Sequence, residues 1–118
     1  MMSYKRGDVI LVHFPFTNRT TLKKRPALVV QADGLNTDLS NINLILVPIT
    51  SNLQRAQYQA RVKVLMIDPI SKGSGLIQDS VILADNLTTL ELKFVIKKIG
   101  AIPDMTLIDK ALRVALAL

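Results

Sequence analysis

The order of hydrophobic patterning constrains this chain most. Short β-branched and aliphatic runs, each bounded by Gly, Pro, Asn or Asp, fill the first two thirds, and one amphipathic helix closes it. Strands are expected over residues 8–14, 25–31, 43–50, 61–66 and 76–84, with a last one over 94–102. The polar stretch 15–24 reads as a long loop, and Asp33, Gly34 and Asn36 as a turn carrying one helical turn. Lys72-Gly73-Ser74-Gly75 reads as a mobile loop, and residues 88–92 as another helical turn. The run over 43–50 is nearly all apolar and so central, which confines its Pro48 to a bulge, a strand end or an outward-facing position. Pro103 and Asp104 suit the first turn of the closing helix, where Met105, Ile108, Leu112 and Ala115 recur at helical spacing. Strands first and a helix last imply an α+β arrangement, a small curled sheet or barrel with the helix packed against it. The 118 residues fit one domain over residues 1–118. The run Val114-Ala115-Leu116-Ala117-Leu118 is more apolar than a monomer needs, so a homodimer is expected.

Several chemistries are disfavoured by what the chain lacks. It has no cysteine, which removes thiol nucleophiles and thiolate metal sites and fits a reducing compartment. Its one histidine, His13, cannot supply the paired acid and base of a two-histidine nuclease. No Gly-rich phosphate loop, His-rich metal pattern or nucleophile elbow is present, so no metal site and no cofactor are expected. The apolar stretch after Met1-Met2-Ser3-Tyr4-Lys5-Arg6 is too short for a signal peptide or a membrane span, and a cytoplasmic location is expected. Lys and Arg number 15 against 9 acidic residues, a formal charge of +6 that favours an anionic partner, nucleic acid or an acidic protein. Aromatic residues make up only 4%, so stacking on exposed rings is not the expected binding mode.

One constellation survives. If strands 25–31 and 43–50 pair antiparallel about the turn near Asn36, equal steps back from it set Arg25 opposite Thr50, on one face. A guanidinium stiffened by Pro26, beside the hydroxyls of Thr50 and Ser51, makes an oxyanion or phosphate site, because its planar fork matches two phosphoryl oxygens. A strand-end Arg and Thr equally suit solvation and turn formation. The loops around them, with Thr17, Asn18, Arg19, Lys23 and Lys24 on one side and Ser51, Asn52, Gln54 and Arg55 on the other, converge on the same sheet edge. Such a basic, amide-rich rim suits single-stranded RNA, with Lys and Arg on the backbone and Asn and Gln on base edges. Asp79 and Asp85 bracket the strand between them, and each suits either a carboxylate base or a turn cap.

Five segments carry a resemblance. Lys5-Arg6-Gly7-Asp8-Val9, Phe14-Pro15-Phe16-Thr17, Arg25-Pro26-Ala27-Leu28-Val29-Val30, Val47-Pro48-Ile49-Thr50-Ser51 and Gly75-Leu76-Ile77-Gln78-Asp79-Ser80-Val81 resemble the MazF/PemK family of toxin ribonucleases, in that family's order and nearly end to end. The resemblance implies an SH3-like barrel with a carboxy-terminal helix, a homodimer, cleavage of single-stranded messenger RNA at short sequences, and neutralisation by an acidic antitoxin. Carried over, the family's catalytic arginine falls on Arg25 and its threonine on Thr50. The implied reaction is metal-independent attack by the RNA 2′-hydroxyl, with Arg25 stabilising the transition state, Thr50 orienting the phosphate and Asp85 as base. Leu83 and the pair Thr88-Thr89 depart from residues common in the family. A non-catalytic RNA-binding module on the same scaffold stays open, as does a gyrase poison of the CcdB type, although that family's target contact uses a tryptophan and none is present here.

Overall fold

The structure, a computed structural model, describes residues 3–14 and 23–118. Its elements in chain order are β1 (Asp8–Phe14), β2 (Lys23–Val29), α1 (Asp33–Asn36), β3 (Asn43–Thr50), β4 (Arg61–Val64), β5 (Ser80–Leu83), β6 (Thr88–Glu91), β7 (Val95–Ala101) and α2 (Thr106–Leu116), with short 3-10 turns between several of them. All pairings are antiparallel and follow the order β4-β5-β3-β2-β1-β7, with β6 beside the first half of β3. Among the described residues no ladder joins β7 back to β4, so the strand path is open and its pairing does not close a barrel.

The central strands are covered on both faces, which is why their sequences run nearly continuously apolar instead of alternating. Val9, Leu28, Val47, Ile49 and Ile82 form one core, which α2 covers with Ile108 and Ala111, helped by Met105 just before it. The alternate positions Ile10, Val12, Ala27, Val29 and Leu46 form a second core, closed by Leu90. At ~1.5–3 kcal/mol for each fully buried aliphatic side chain, these two layers supply the main drive for folding.

Several sequence expectations are corrected. Residues 88–92 do not form a helical turn: Thr88–Glu91 is a strand, because Asn43 to Leu46 offer it a ladder. The second strand begins at Lys23 and ends at Val29, so Lys23 and Lys24 belong to β2 and not to a loop. The segment around Gly73 is pinned, not mobile. Ser71 Oγ donates to the carbonyls of Met66 and Asp68, Ser74 Oγ donates to Ser71, and Ala101 N donates to the Gly73 carbonyl at 2.8 Å. Pro48 sits opposite Ala27 at the last recorded β2–β3 pair, where β3 exchanges β2 for β5 as its ladder partner. No helix among the described residues is long and apolar enough to cross a membrane.

Candidate active site

The β2–β3 register pairs Ala27 with Pro48 and Leu28 with Val47. Two further steps bring Arg25 level with Thr50, and both residues line one groove of about 310 Å³ at the ends of these strands. Lys24, Pro26, Ile49 and Ser51 line it as well, so residues of both strand parities reach the cleft. The rest of its lining comes from Gly75, Leu76, Ile77, Gln78 and Ser80, with Leu11 and Ile99.

Across the sheet, Thr50 pairs with Val81, and Val81 with Lys63. Opposed residues share a face. Ile49, Ile82, Val62 and Val64 belong to the core beneath α2, so Thr50, Val81 and Lys63 face the other way. Arg61, two residues before Lys63, shares that face. Thr50 therefore lies in a row that ends in the exposed ammonium-bearing Lys63, with the buried Val81 between them.

The hydroxyl of Thr50 is already in use, since Thr50 Oγ1 accepts the Asn52 amide at 3.2 Å. Asn52 in turn caps the 3-10 turn Leu53–Gln57, its Oδ1 accepting from Gln54 N at 3.1 Å. Thr50, Ser51, Asn52, Gln54 and Arg55 thus follow one another along a hydrogen-bonded path leaving the groove. Arg25 is exposed, and its guanidinium makes no hydrogen bond or ion pair with any described residue, so its side-chain donors are uncommitted there. Lys23 is exposed at the start of β2. Thr17 and Asn18 lie outside the described residues.

Asp85 is placed elsewhere and differently from the expected base. It stands beyond the end of β5, away from the groove lining, and Arg61 grips both its oxygens, Nε to Oδ1 at 3.0 Å and Nη2 to Oδ2 at 3.1 Å. That hydrogen-bonded guanidinium holds the Asp85 carboxyl below the usual carboxylate range, which weakens it as a proton acceptor. A carboxylate with both oxygens so engaged fits an anchor better than a base. Asp79 is likewise occupied, accepting the Met66 amide at 2.6 Å. Among the described residues no three His, Cys, Asp or Glu side chains are grouped to hold a metal ion.

Gln78 and Ser80, polar groups on the groove wall, and Arg61 were not singled out from the sequence. The only signal for the first two was the segment Gly75 to Val81, whose place beside Thr50 depends on a pairing between strands some 30 residues apart. Nothing local marks Arg61, because its partner Asp85 lies 24 residues away.

Comparison with known proteins adds the following. The model of a family described as PemK-like, MazF-like toxin of type II toxin-antitoxin system matches residues 5–117. The endoribonuclease EndoA of Bacillus subtilis (strain 168) is 33% identical over 120 residues, spanning 99% of this chain and 97% of that protein. Among solved structures, an endoribonuclease in complex with its cognate antitoxin from a Mycobacterial species superposes with a TM-score of 0.76 at 22% identity, covering 98% of this chain and 97% of the other. MazF (Form-I) of Deinococcus radiodurans gives a TM-score of 0.72 at 18% identity, covering 100% of both. At those identities the two superpositions speak for the fold alone, a mixed α+β arrangement of this kind.

Proposed function

This chain belongs to the PemK-like, MazF-like toxins of type II toxin–antitoxin systems and is an endoribonuclease, and we propose that it cuts single-stranded messenger RNA at short sequences by attack of the substrate's own 2′-hydroxyl. The observation that supports this most directly is the convergence of Arg25 and Thr50 on one groove. In the proposed reaction the 2′-oxygen bonds to the adjacent phosphorus as it gives up its proton, and the P–O5′ bond breaks. The products are a 2′,3′-cyclic phosphate and a 5′-hydroxyl that has taken a proton. Negative charge builds on the non-bridging oxygens, where the Arg25 fork offers two parallel donors and Thr50 holds the phosphate in line. Because nucleophile and electrophile belong to one nucleotide, no metal is needed to generate the attacking group.

The rim completes the reading. Lys23, Lys24 and Arg55 suit the phosphate backbone, while Asn52, Gln54 and Ser51, together with Thr17 and Asn18, suit base edges. An SH3-like barrel goes with this reading, supported by a β3 that shares ladders with β2, β5 and β6 and is covered on both faces. An acidic antitoxin segment laid across the same basic rim, a homodimer built partly on the exposed Leu107 and Val114 of α2, and a cytoplasmic setting go with this reading.

Incubation of the purified protein with a long RNA in excess chelator tests it, beside an Arg25→Ala variant. Discrete fragments ending in cyclic phosphate are expected from the wild type, with a loss on the order of a hundredfold in the variant. RNA that is shifted in a gel but left whole would replace the enzyme with a binding module, and full activity in Arg25→Ala would displace the site.

A further inference from the structure

The segment that leaves the groove after Thr50 is short of apolar anchors. Residues 51–55 and 57–59 are exposed, and Ala56 is only half-buried. Hydrogen bonds hold it at its start, from Asn52 N to Thr50 and from Arg55 N to the Asn52 carbonyl at 3.1 Å. At its far end the side-chain hydrogen bond and the ring contact both come from Arg61. The guanidinium Nη1 donates to the Arg55 carbonyl at 3.0 Å, the same group stacks over the Tyr58 ring 4.6 Å from its centroid, and Nε and Nη2 close on Asp85. Arg61 N also donates to the Tyr58 carbonyl at 3.0 Å.

Arg61 rises from the same sheet face as Thr50, with its side chain only 11% exposed. A planar fork with fixed geometry is what this task requires, since one group must meet a carboxylate, a backbone carbonyl and a ring face together. An ammonium group is a point charge and cannot hold all three directions.

We propose that Arg61, oriented by Asp85, is a positioning residue that holds the segment 52–58 in register with the groove and thereby sets how tightly and at which sequences RNA is engaged. This rests on the reading that the groove and its rim bind single-stranded RNA. Asp85 then acts through Arg61 as its anchor and not on the scissile phosphate. Loosening the segment leaves Arg25 and Thr50 in place, so substrate engagement suffers before the chemical step does.

The test uses the full chain with Asp85→Asn, Arg61→Lys and Arg61→Ala, each checked for its unfolding midpoint. On an oligoribonucleotide cut by the wild type, KM is expected to rise about tenfold in Arg61→Lys and Asp85→Asn while kcat changes less than about threefold, the signature of lost binding in ground and transition states alike. The set of sites cut in a long RNA should broaden. Combining Asp85→Asn with Arg61→Ala should add little to Arg61→Ala, as for two groups in one contact. Hydrogen exchange of residues 52–58 in the free protein, faster in the variants while β3 stays protected, tests the positioning without RNA. Unchanged exchange, or a fall in kcat at constant KM with the same sites cut, would overturn the inference. A wild type that leaves RNA intact would overturn the proposed function instead, and the exchange measurement would still decide whether Arg61 holds the segment.

Discussion

Gly75 passes so close to Ile99 that a methyl group in place of its hydrogen would strike the Ile99 carbonyl oxygen. Its φ of +78° is also one that side-chain-bearing residues rarely adopt. Both residues line the groove, so the close approach lies in its lining.

Gly75→Ala is therefore expected to cost about 2 kcal/mol or more, from the unfavourable φ and the displaced strand together. Urea unfolding followed by circular dichroism reads the shift in midpoint. Gly34→Ala is the control, because nothing lies within 4 Å of the added methyl. It should be neutral or stabilise by up to about 1 kcal/mol. Equal effects at the two glycines would mean that the Ile99 contact is not what constrains Gly75.

Thr50 separates geometry from chemistry. Thr50→Val keeps the shape and removes the hydroxyl, freeing an Asn52 amide that is exposed enough to turn to water. Stability should fall by about 1 kcal/mol or less. Single-turnover cleavage should slow by about tenfold to a hundredfold, and Thr50→Ser should restore most of it. If valine cuts as fast as threonine, the hydroxyl does not orient the phosphate.

Much of this was legible in the chain because period and punctuation carry it. The bounds of β1 and β3 follow from apolar runs between turn residues, and stepping back from the turn near Asn36 gave the register that levels Arg25 with Thr50. Local pattern failed where a distant partner decides the state. Thr88-Thr89-Leu90-Glu91 is four residues long and becomes a strand only against β3. The grip of Arg61 on Asp85 is likewise not local, because Arg61 opens β4 and Asp85 follows β5, 24 residues on. The Gly73 region looked loose because its anchors are a backbone carbonyl paired with Ala101 and two serine hydroxyls buried by the fold.

The Arg61–Asp85 pair has a definite acid limit. Its hydrogen bond to Arg61 lowers the Asp85 pKa in the folded chain below its unfolded value. The pair's contribution is thus fully present above the unfolded carboxylate pKa and is lost as pH falls through the lower, folded one. With the carboxylate side chain 30% exposed, the contribution is about 1 kcal/mol or less. The stability difference between wild type and Asp85→Asn, measured by urea unfolding, should stay level from neutrality to about pH 5 and vanish below the normal carboxylate range. A difference already lost near pH 6 would assign it to another group.

Salt dependence distinguishes residues that hold the RNA backbone from those that read bases. Lys63 is exposed in the cross-strand row of Thr50, and Lys24 lines the groove. A lysine that neutralises a phosphate releases condensed counterion, and each such contact adds about 0.7 to the slope of log affinity against log salt for a single strand. Binding of an uncleavable oligonucleotide, carrying a 2′-deoxy residue at the cut site, is to be measured from low to moderate NaCl. Lys24→Gln and Lys63→Gln should each flatten the slope by about that amount and weaken all sequences alike. Asn52→Ala should leave the slope unchanged and alter the ranking of sequences, because an amide carries no charge and speaks to base edges. If Lys63→Gln leaves the slope untouched while Lys24→Gln flattens it, the RNA path runs along the groove and does not cross the sheet toward β4.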